Sequence, residues 1–405
     1  MKIMLLGDMP PCKNYTAGIV LNLMCDFLLE SGHDVCCFAV KLQSLPYEPE
    51  IPIDKLERMK FAYAAMPNEN HGHRKPHFLS SFIGNNKAAI FELPPITQKV
   101  VDFVKKNKVD LIWSVVQGQT TIKLTNRVAK ITEIPYVVQV WDPPNWWLRD
   151  NRFDKITMKW VLNEFGRIIR NSSCCIAASW AMAEEYTKRY KCKKSIPVIL
   201  GLEPSRVLPK GCKKDDQFVI AFAGQTYASA ELNAFISSLD LLGWQLGGKK
   251  IILRLYGATV QTYFKEGTRI EIRGWVPYEE MIPELAATDL LYCPYWFSSE
   301  FEEEARMSFP SKLTTYFKTG VPVLFHGPEY ASPRRFIEQN EAAYIAGTLD
   351  PRDIAETLRF ALNDPNRFLI GKRGFDAFTR FLSLENMRAS FFEALGIKDR
   401  EVAGK

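Results

Sequence analysis

At 405 residues the chain is too long for one hydrophobic core, and two domains of roughly 200 residues are expected. Its 47% hydrophobic and 24% charged residues describe an ordinary folded protein, which excludes a disordered chain, and no run nears the roughly 18 apolar residues of a membrane span. The net charge of +6 lies in the first half, where residues 1–200 carry 27 Lys and Arg against 19 Asp and Glu; the remainder carries 25 against 27.

A basic half suits an anionic acceptor or anionic headgroups at the inner face of a membrane, or is simply a solvated surface. No basic-aromatic nucleic-acid module is present, so no nucleic-acid partner is expected. The nine cysteines are odd in number and fall mostly in apolar runs, such as Cys36-Cys37, Cys174-Cys175 and Cys293. They read as reduced core thiols of a cytoplasmic protein, and none has zinc-ligand spacing.

Lys2–Gly7 predicts a first strand; it is too short for a signal segment and Asp8 follows it. After the loop 8–16, a helix from Ala17 ends at Ser31-Gly32-His33, and Val35–Val40 is the next strand. This βαβ opening lacks the Gly-x-Gly-x-x-Gly fingerprint, which argues against a nicotinamide cofactor. Gly18 either lets a substrate approach the backbone or eases the turn. Residues 41–95 carry little signal beyond a strand at 61–66 and the basic loop His71-Gly72-His73-Arg74-Lys75-Pro76-His77. No carboxylate or Cys completes a metal-ligand set with those histidines, so the loop reads as acceptor-binding or membrane-facing.

A helix at 96–106, a strand at 109–116 and a helix at 120–131 lead to the strand 136–141, which runs into Trp141-Asp142-Pro143-Pro144-Asn145-Trp146-Trp147. Indole faces stack on sugar C–H faces and a carboxylate accepts from hydroxyls, so this cluster is a candidate acceptor platform. Interdomain packing or a membrane interface would use the same residues. A helix at 155–171, a strand at 174–178, a helix at 181–190 capped by Ser179, and a strand at 196–200 complete the first half.

The second half repeats the alternation: strand 218–223, Gly224-Gln225-Thr226, helix 230–242, strand 251–256 ending at Gly257, and strand 270–272 running into Arg273-Gly274-Trp275. Trp275 suits a stacked base or plain packing. A helix at 278–287 and the apolar run 290–292 follow, and the chain opens at Pro294 into a polar loop with an acidic run at 300–304. Pro310, Ser311 and Lys312 then form the first turn of a helix ending at Thr319-Gly320, ahead of the strand Gly-Val-Pro-Val-Leu-Phe. Free backbone N–H groups, a hydroxyl and an ammonium at one helix start suit a phosphate. Further helices are expected at 334–340, 351–362 and between 366 and 395, with a strand at 343–346.

The stretch Ser308-Phe309-Pro310-Ser311-Lys312-Leu313 through Gly320-Val321-Pro322-Val323-Leu324 resembles the "fPSKl.eY…G.PVl" of retaining GT-B glycosyltransferases of family 4 (group 1), and weaker likeness extends over nearly the whole chain. The resemblance implies an α/β fold of two Rossmann-like, doubly wound parallel-sheet domains facing a central cleft. Residues 1–201 would form the acceptor side, 202–216 a linker, 217–380 the nucleotide-sugar domain, and 381–405 a terminal helix returning to the first domain. It implies metal-independent, cofactor-free transfer from a nucleoside diphosphate-sugar to a hydroxyl of a glycan or lipid-linked acceptor. Carried over, the donor residues are Gly224, Gln225, Thr226, Gly257, Gly274, Trp275, Pro310, Ser311, Lys312, Leu313 and Thr315. The acceptor-side residues are Gly18, Trp141, Asp142 and Trp146, with Lys312 and Asp142 as the catalytic pair. The chain departs from the family at Gln225, where Arg is usual, in 227–231, which hold no Lys, and at Met307 and Thr315, where two acids are usual. A non-catalytic scaffold of the same fold, or a sugar-nucleotide epimerase, are the alternatives those departures leave.

Overall fold

The computed structural model describes residues 1–41, 45–67, 78–205, 207–210, 215–225, 227–257 and 269–398. The chain divides into two units, Met1–Val198 together with Arg388–Lys405, and Ile199–Met387.

The first unit is built on seven strands: β1 (Lys2–Gly7), β2 (Asp34–Lys41), β3 (Lys60–Ala65), β4 (Leu111–Val115), β5 (Tyr136–Val140), β6 (Cys174–Ala177) and β7 (Ser195–Pro197). Their order is β3-β2-β1-β4-β5-β6-β7, and every neighbouring pair is parallel. Runs such as Ile3–Leu6 and Val35–Val40 are buried without alternation, as parallel strands roofed by helices are. The helix Leu384–Leu395 carries its second half into this unit. There the Arg388 guanidinium donates to the Glu30 carboxylate (3.0 Å) and the Ser31 hydroxyl (2.9 Å), and the Phe391 ring lies 4.9 Å from that of Trp113.

The second unit holds β8 (Gln217–Ala223), the two-residue β9 (Gln245–Leu246), β10 (Lys249–Tyr256), β11 (Ile270–Gly274), β12 (Leu290–Pro294), β13 (Val323–His326) and β14 (Tyr344–Ala346). Six run parallel in the order β11-β10-β8-β12-β13-β14, and β9 pairs antiparallel with β10. Chain order reverses between β1 and β4 in one sheet and between β8 and β12 in the other. Carboxyl ends of strands at such reversals are where open α/β sheets hold ligands.

Several helices escape the periodicity. Ile53–Arg58, Phe78–Lys87 and Pro144–Asp150 are helical, and a π turn at Ala88–Glu92 joins the second of these to the helix Leu93–Asn107. Pro144 at the first helical position pre-sets the turn that follows Asp142. The acidic run is also helical, over Glu302–Met307, because three glutamates in a first turn complement the helix dipole.

The helix Ser311–Thr319 ends on Gly320 in the left-handed region (φ 71°). The helix Arg367–Phe381 presses Gly371 against that turn, so closely that a side chain there would strike the Gly320 carbonyl and the Pro322 nitrogen. Both obstacles are backbone and cannot swing aside. Gly371→Ala is therefore expected to destabilise the second unit by about 1–3 kcal/mol, read as a lower urea midpoint at unchanged slope.

Candidate functional site

In the second unit the reversal point gathers three strand ends. Gly224, after β8, donates its N–H to the Tyr256 carbonyl (3.0 Å), and Gly257, after β10, donates to that of Gly274 (2.6 Å). Gly224 sits at φ +111°, and a side chain there would lie 3.6 Å from both Cε and Nζ of Lys312. The absent side chain thus leaves the lysine's head beside bare backbone. Tyr316, one turn along the same helix, pins the end of β8 by accepting the Ala223 N–H on its hydroxyl (2.8 Å).

Pro310 caps the helix Ser311–Thr319 without a side-chain hydrogen bond. Leu313 donates its N–H back to the Pro310 carbonyl (3.0 Å) and its side chain is buried in the core. The N–H groups of Ser311 and Lys312 are left at the helix start with no backbone partner among the described residues. Ser311 is exposed, while Thr315, one turn on, bonds through its side chain with the Tyr278 hydroxyl.

The Lys312 Nζ is shut off from solvent, with no hydrogen-bond partner among the described residues. It lies 4.1 Å from the Phe222 ring centroid and 4.6 Å from that of Tyr227. Burial pushes its pKa down to about 8, opposed in part by the Cys293 thiol at the end of β12. Two ring faces attract a cation, but they do not replace the oxygen acceptors that the ammonium loses on leaving water. The aromatic wall continues outward, because Trp296 lies 4.8 Å from Tyr227, donates its indole N–H to the Tyr227 carbonyl (3.1 Å) and stacks on Phe301.

The loop after β12 is fixed from below. Phe297 donates its N–H to the buried Glu231 carboxylate (2.8 Å). The fully buried His326 bonds through Nδ1 to the Tyr292 hydroxyl (2.8 Å) and through Nε2 to the Thr348 carbonyl (2.7 Å). Burial holds its pKa at about 4, so the imidazole is neutral and structural.

Of the other donor-side residues, Gly224, Gln225 and Gly257 are exposed at the strand ends, and Trp275, 82% exposed, follows Gly274 at the end of β11. Thr226 lies outside the described residues, as does the loop 71–77. Phe222, Tyr227, Trp296 and Tyr278 were not singled out from the sequence. The wealth of aromatics around 292–301 hints at Trp296 alone.

In the first unit Trp141, Asp142 and Trp146 are half-buried past the end of β5, while Trp147 packs on Gly118 and lies 5.3 Å from Phe153. Gly18 is buried, and its missing side chain makes room for Cys12, whose N–H donates to the Gly18 carbonyl (3.1 Å). The close neighbour at Gly18 is therefore part of the chain itself. At the first reversal point, burial pushes the Asp8 carboxyl above the usual carboxylate range. Sequence reasoning passed over it as the residue after a strand.

No protein-family model matches the chain, and no curated protein sequence does. Among solved structures, sucrose-phosphate synthase from Thermosynechococcus elongatus is similar over 100% of both chains, with TM-score 0.69 and 13% identity. Anabaena HepE in complex with UDP matches over 98% of this chain and 100% of its own (TM-score 0.65, 16% identity). A glycosyltransferase from Rickettsia africae ESF-5 matches over 97% and 98% (TM-score 0.63, 12% identity). Likeness at these identities establishes the fold, two parallel-sheet α/β domains of the GT-B kind.

A lysine whose folded-state pKa falls from 10.5 to about 8 costs stability wherever it stays protonated. The cost is complete below pH 8 and disappears as the pH rises toward 10.5. Wild-type stability is thus expected to gain between those pH values relative to Lys312→Met, and the variant to be the more stable at pH 7 by up to about 3 kcal/mol. Urea unfolding of both proteins across pH 7–10.5 checks this; parallel curves would mean that the ammonium is solvated.

Proposed function

We propose that the chain is a glycosyltransferase that moves the sugar of a nucleoside diphosphate-sugar to an acceptor hydroxyl. The observation that carries this is the Lys312 ammonium at a helix start, without a hydrogen-bond partner among the described residues and beside bare glycine backbone at the β8/β12 reversal. An anion completes such a site, and a diphosphate offers both the charge and the oxygens. HepE, similar in fold over its whole length, was solved with UDP and with UDP-glucose, which supports a nucleoside diphosphate as that anion.

In this reading the bond between the anomeric carbon and the diphosphate oxygen breaks, and charge collects on the leaving diphosphate. The dipole end of the helix Ser311–Thr319, the N–H groups of Ser311 and Lys312, and the Lys312 ammonium stabilise that charge without a metal ion. The acceptor oxygen bonds to the anomeric carbon and its proton passes to the departing phosphate, so the sugar keeps its configuration and no dedicated base is required. Asp142 orients the acceptor hydroxyl. Tyr278 and Thr315 supply hydroxyls toward a ribose where the related motif has an acid, and the exposed Trp275 supplies a face for a base. The acceptor is a glycan or a lipid-linked sugar, consistent with the basic first half.

The absence of acids at Met307 and Thr315 favours one competing reading, a binding subunit without turnover. Calorimetry with UDP, GDP and ADP, followed by hydrolysis assays with the corresponding sugar nucleotides, separates the two. At least one diphosphate is expected to bind, and silence toward all three would end the proposal. Lys312→Ala is expected to weaken that binding about 10- to 100-fold, the worth of one charge-assisted hydrogen bond, and to lower turnover with it. Because the anion selects the protonated lysine, wild-type affinity should be full below pH 8 and decline above it; Lys312→Ala should lose that decline.

A further inference from the structure

One face of the first unit leaves apolar side chains uncovered beside unpaired cations. The helix Phe78–Lys87, the π turn Ala88–Glu92 and the helix Leu93–Asn107 succeed one another without a break, and they expose Ile83 (61%), Ile90 (59%) and Phe91 (70%). Ile83, Lys87 and Phe91 stand four residues apart and share one side of this rod. The helix Lys155–Asn171 lies against it: Asn86 Nδ2 donates to Thr157 Oγ1 (3.3 Å), Ser81 Oγ to the Arg152 carbonyl (3.4 Å), and the Phe82 and Trp160 rings lie 5.8 Å apart. That helix adds Ile156 and Trp160, 43% and 49% exposed.

Isolated exposed apolar residues are ordinary, but a run of five on two touching helices is a patch. Around it Lys87, Arg152, Lys155 and Lys159 are exposed, and none forms an ion pair with a described residue. The exposed carboxylates within these stretches are Glu92, Asp102 and Asp150, outnumbered by exposed lysines and arginines, so cations prevail. Lysine is depleted where proteins bury surface against each other, whereas lysines ringing aliphatic and indole side chains suit phosphate headgroups over an acyl layer.

We propose that this face docks on an anionic lipid bilayer, with Ile83, Ile90, Phe91 and Trp160 entering the headgroup layer and Lys87, Lys155 and Lys159 meeting lipid phosphates. The docking stands independently of the reaction proposed above. Its test is co-sedimentation of the full chain with vesicles of phosphatidylcholine alone or mixed with phosphatidylglycerol. The wild type is expected to partition onto the mixed vesicles at least about tenfold more strongly than onto phosphatidylcholine, and less at high salt. Ile90→Ser/Phe91→Ser should weaken that partition about tenfold. Lys155→Glu/Lys159→Glu should weaken it comparably and flatten its salt dependence, so the outcome does not hang on one variant. Phe368→Ser, an equally exposed aromatic in the second unit, should leave it unchanged. No partition of the wild type, partition indifferent to both double variants, or equal loss in Phe368→Ser overturns the proposal. A wild-type dimer in light scattering that Ile90→Ser/Phe91→Ser dissociates, with no vesicle binding, would overturn it in favour of a second copy of the chain.

Discussion

A protonated lysine removed from water without an oxygen acceptor is among the least favourable groups a fold can hold, and among the described residues of the second unit Lys312 has none. Its nearest compensation is the pair of ring faces from Phe222 and Tyr227. Much of the surrounding structure maintains this arrangement. Tyr316 ties the lysine's helix to the end of β8, Gly224 removes the side chain that would cover the ammonium, and Gly371 lets a second helix buttress the far end. Each contact fixes the position of a charge rather than relieving it.

The sheet explains why that charge stands where it does. Parallel strands put all their carboxyl ends on one edge, and the reversal of chain order between β8 and β12 opens a gap there that no crossover fills. The helix that follows β12 must begin near this gap to return to β13, so its dipole end and the first-turn lysine come with it. The loop before that helix is held by Glu231 and by the neutral His326 network, both buried well away from solvent. These buried polar groups keep the loop in place, whereas the Lys312 ammonium has no hydrogen-bond partner among the described residues.

The first unit has a less complete counterpart. Its reversal point carries the half-buried Asp8, whose carboxyl is raised by desolvation, and the Trp141–Trp147 stretch lies past the end of β5. Asp142 and two indoles remain half-buried there, while Trp147 is spent on packing against Gly118. The same unit carries the apolar and cationic face of the 78–92 and 155–160 stretches, so its excess of positive charge is partly gathered beside uncovered hydrophobic side chains.

The sequence by itself determined the alternation of strands and helices and the strand–loop–helix–strand unit around Pro310-Ser311-Lys312, because hydrophobic period and Gly/Pro punctuation are local properties of the chain. It also disclosed the departures at Met307, Thr315 and Gln225, which are matters of identity alone. Only the tertiary structure decided that Phe222 and Tyr227, some 85 to 90 residues before Lys312, enclose its ammonium. It alone paired Tyr278 with Thr315, put Cys12 in the space beside Gly18 and left Ile90 and Phe91 bare. Burial and the displacement of a pKa depend on which distant segments pack together, and short helices such as Pro144–Asp150 and Glu302–Met307 carry too few residues to show a period of their own.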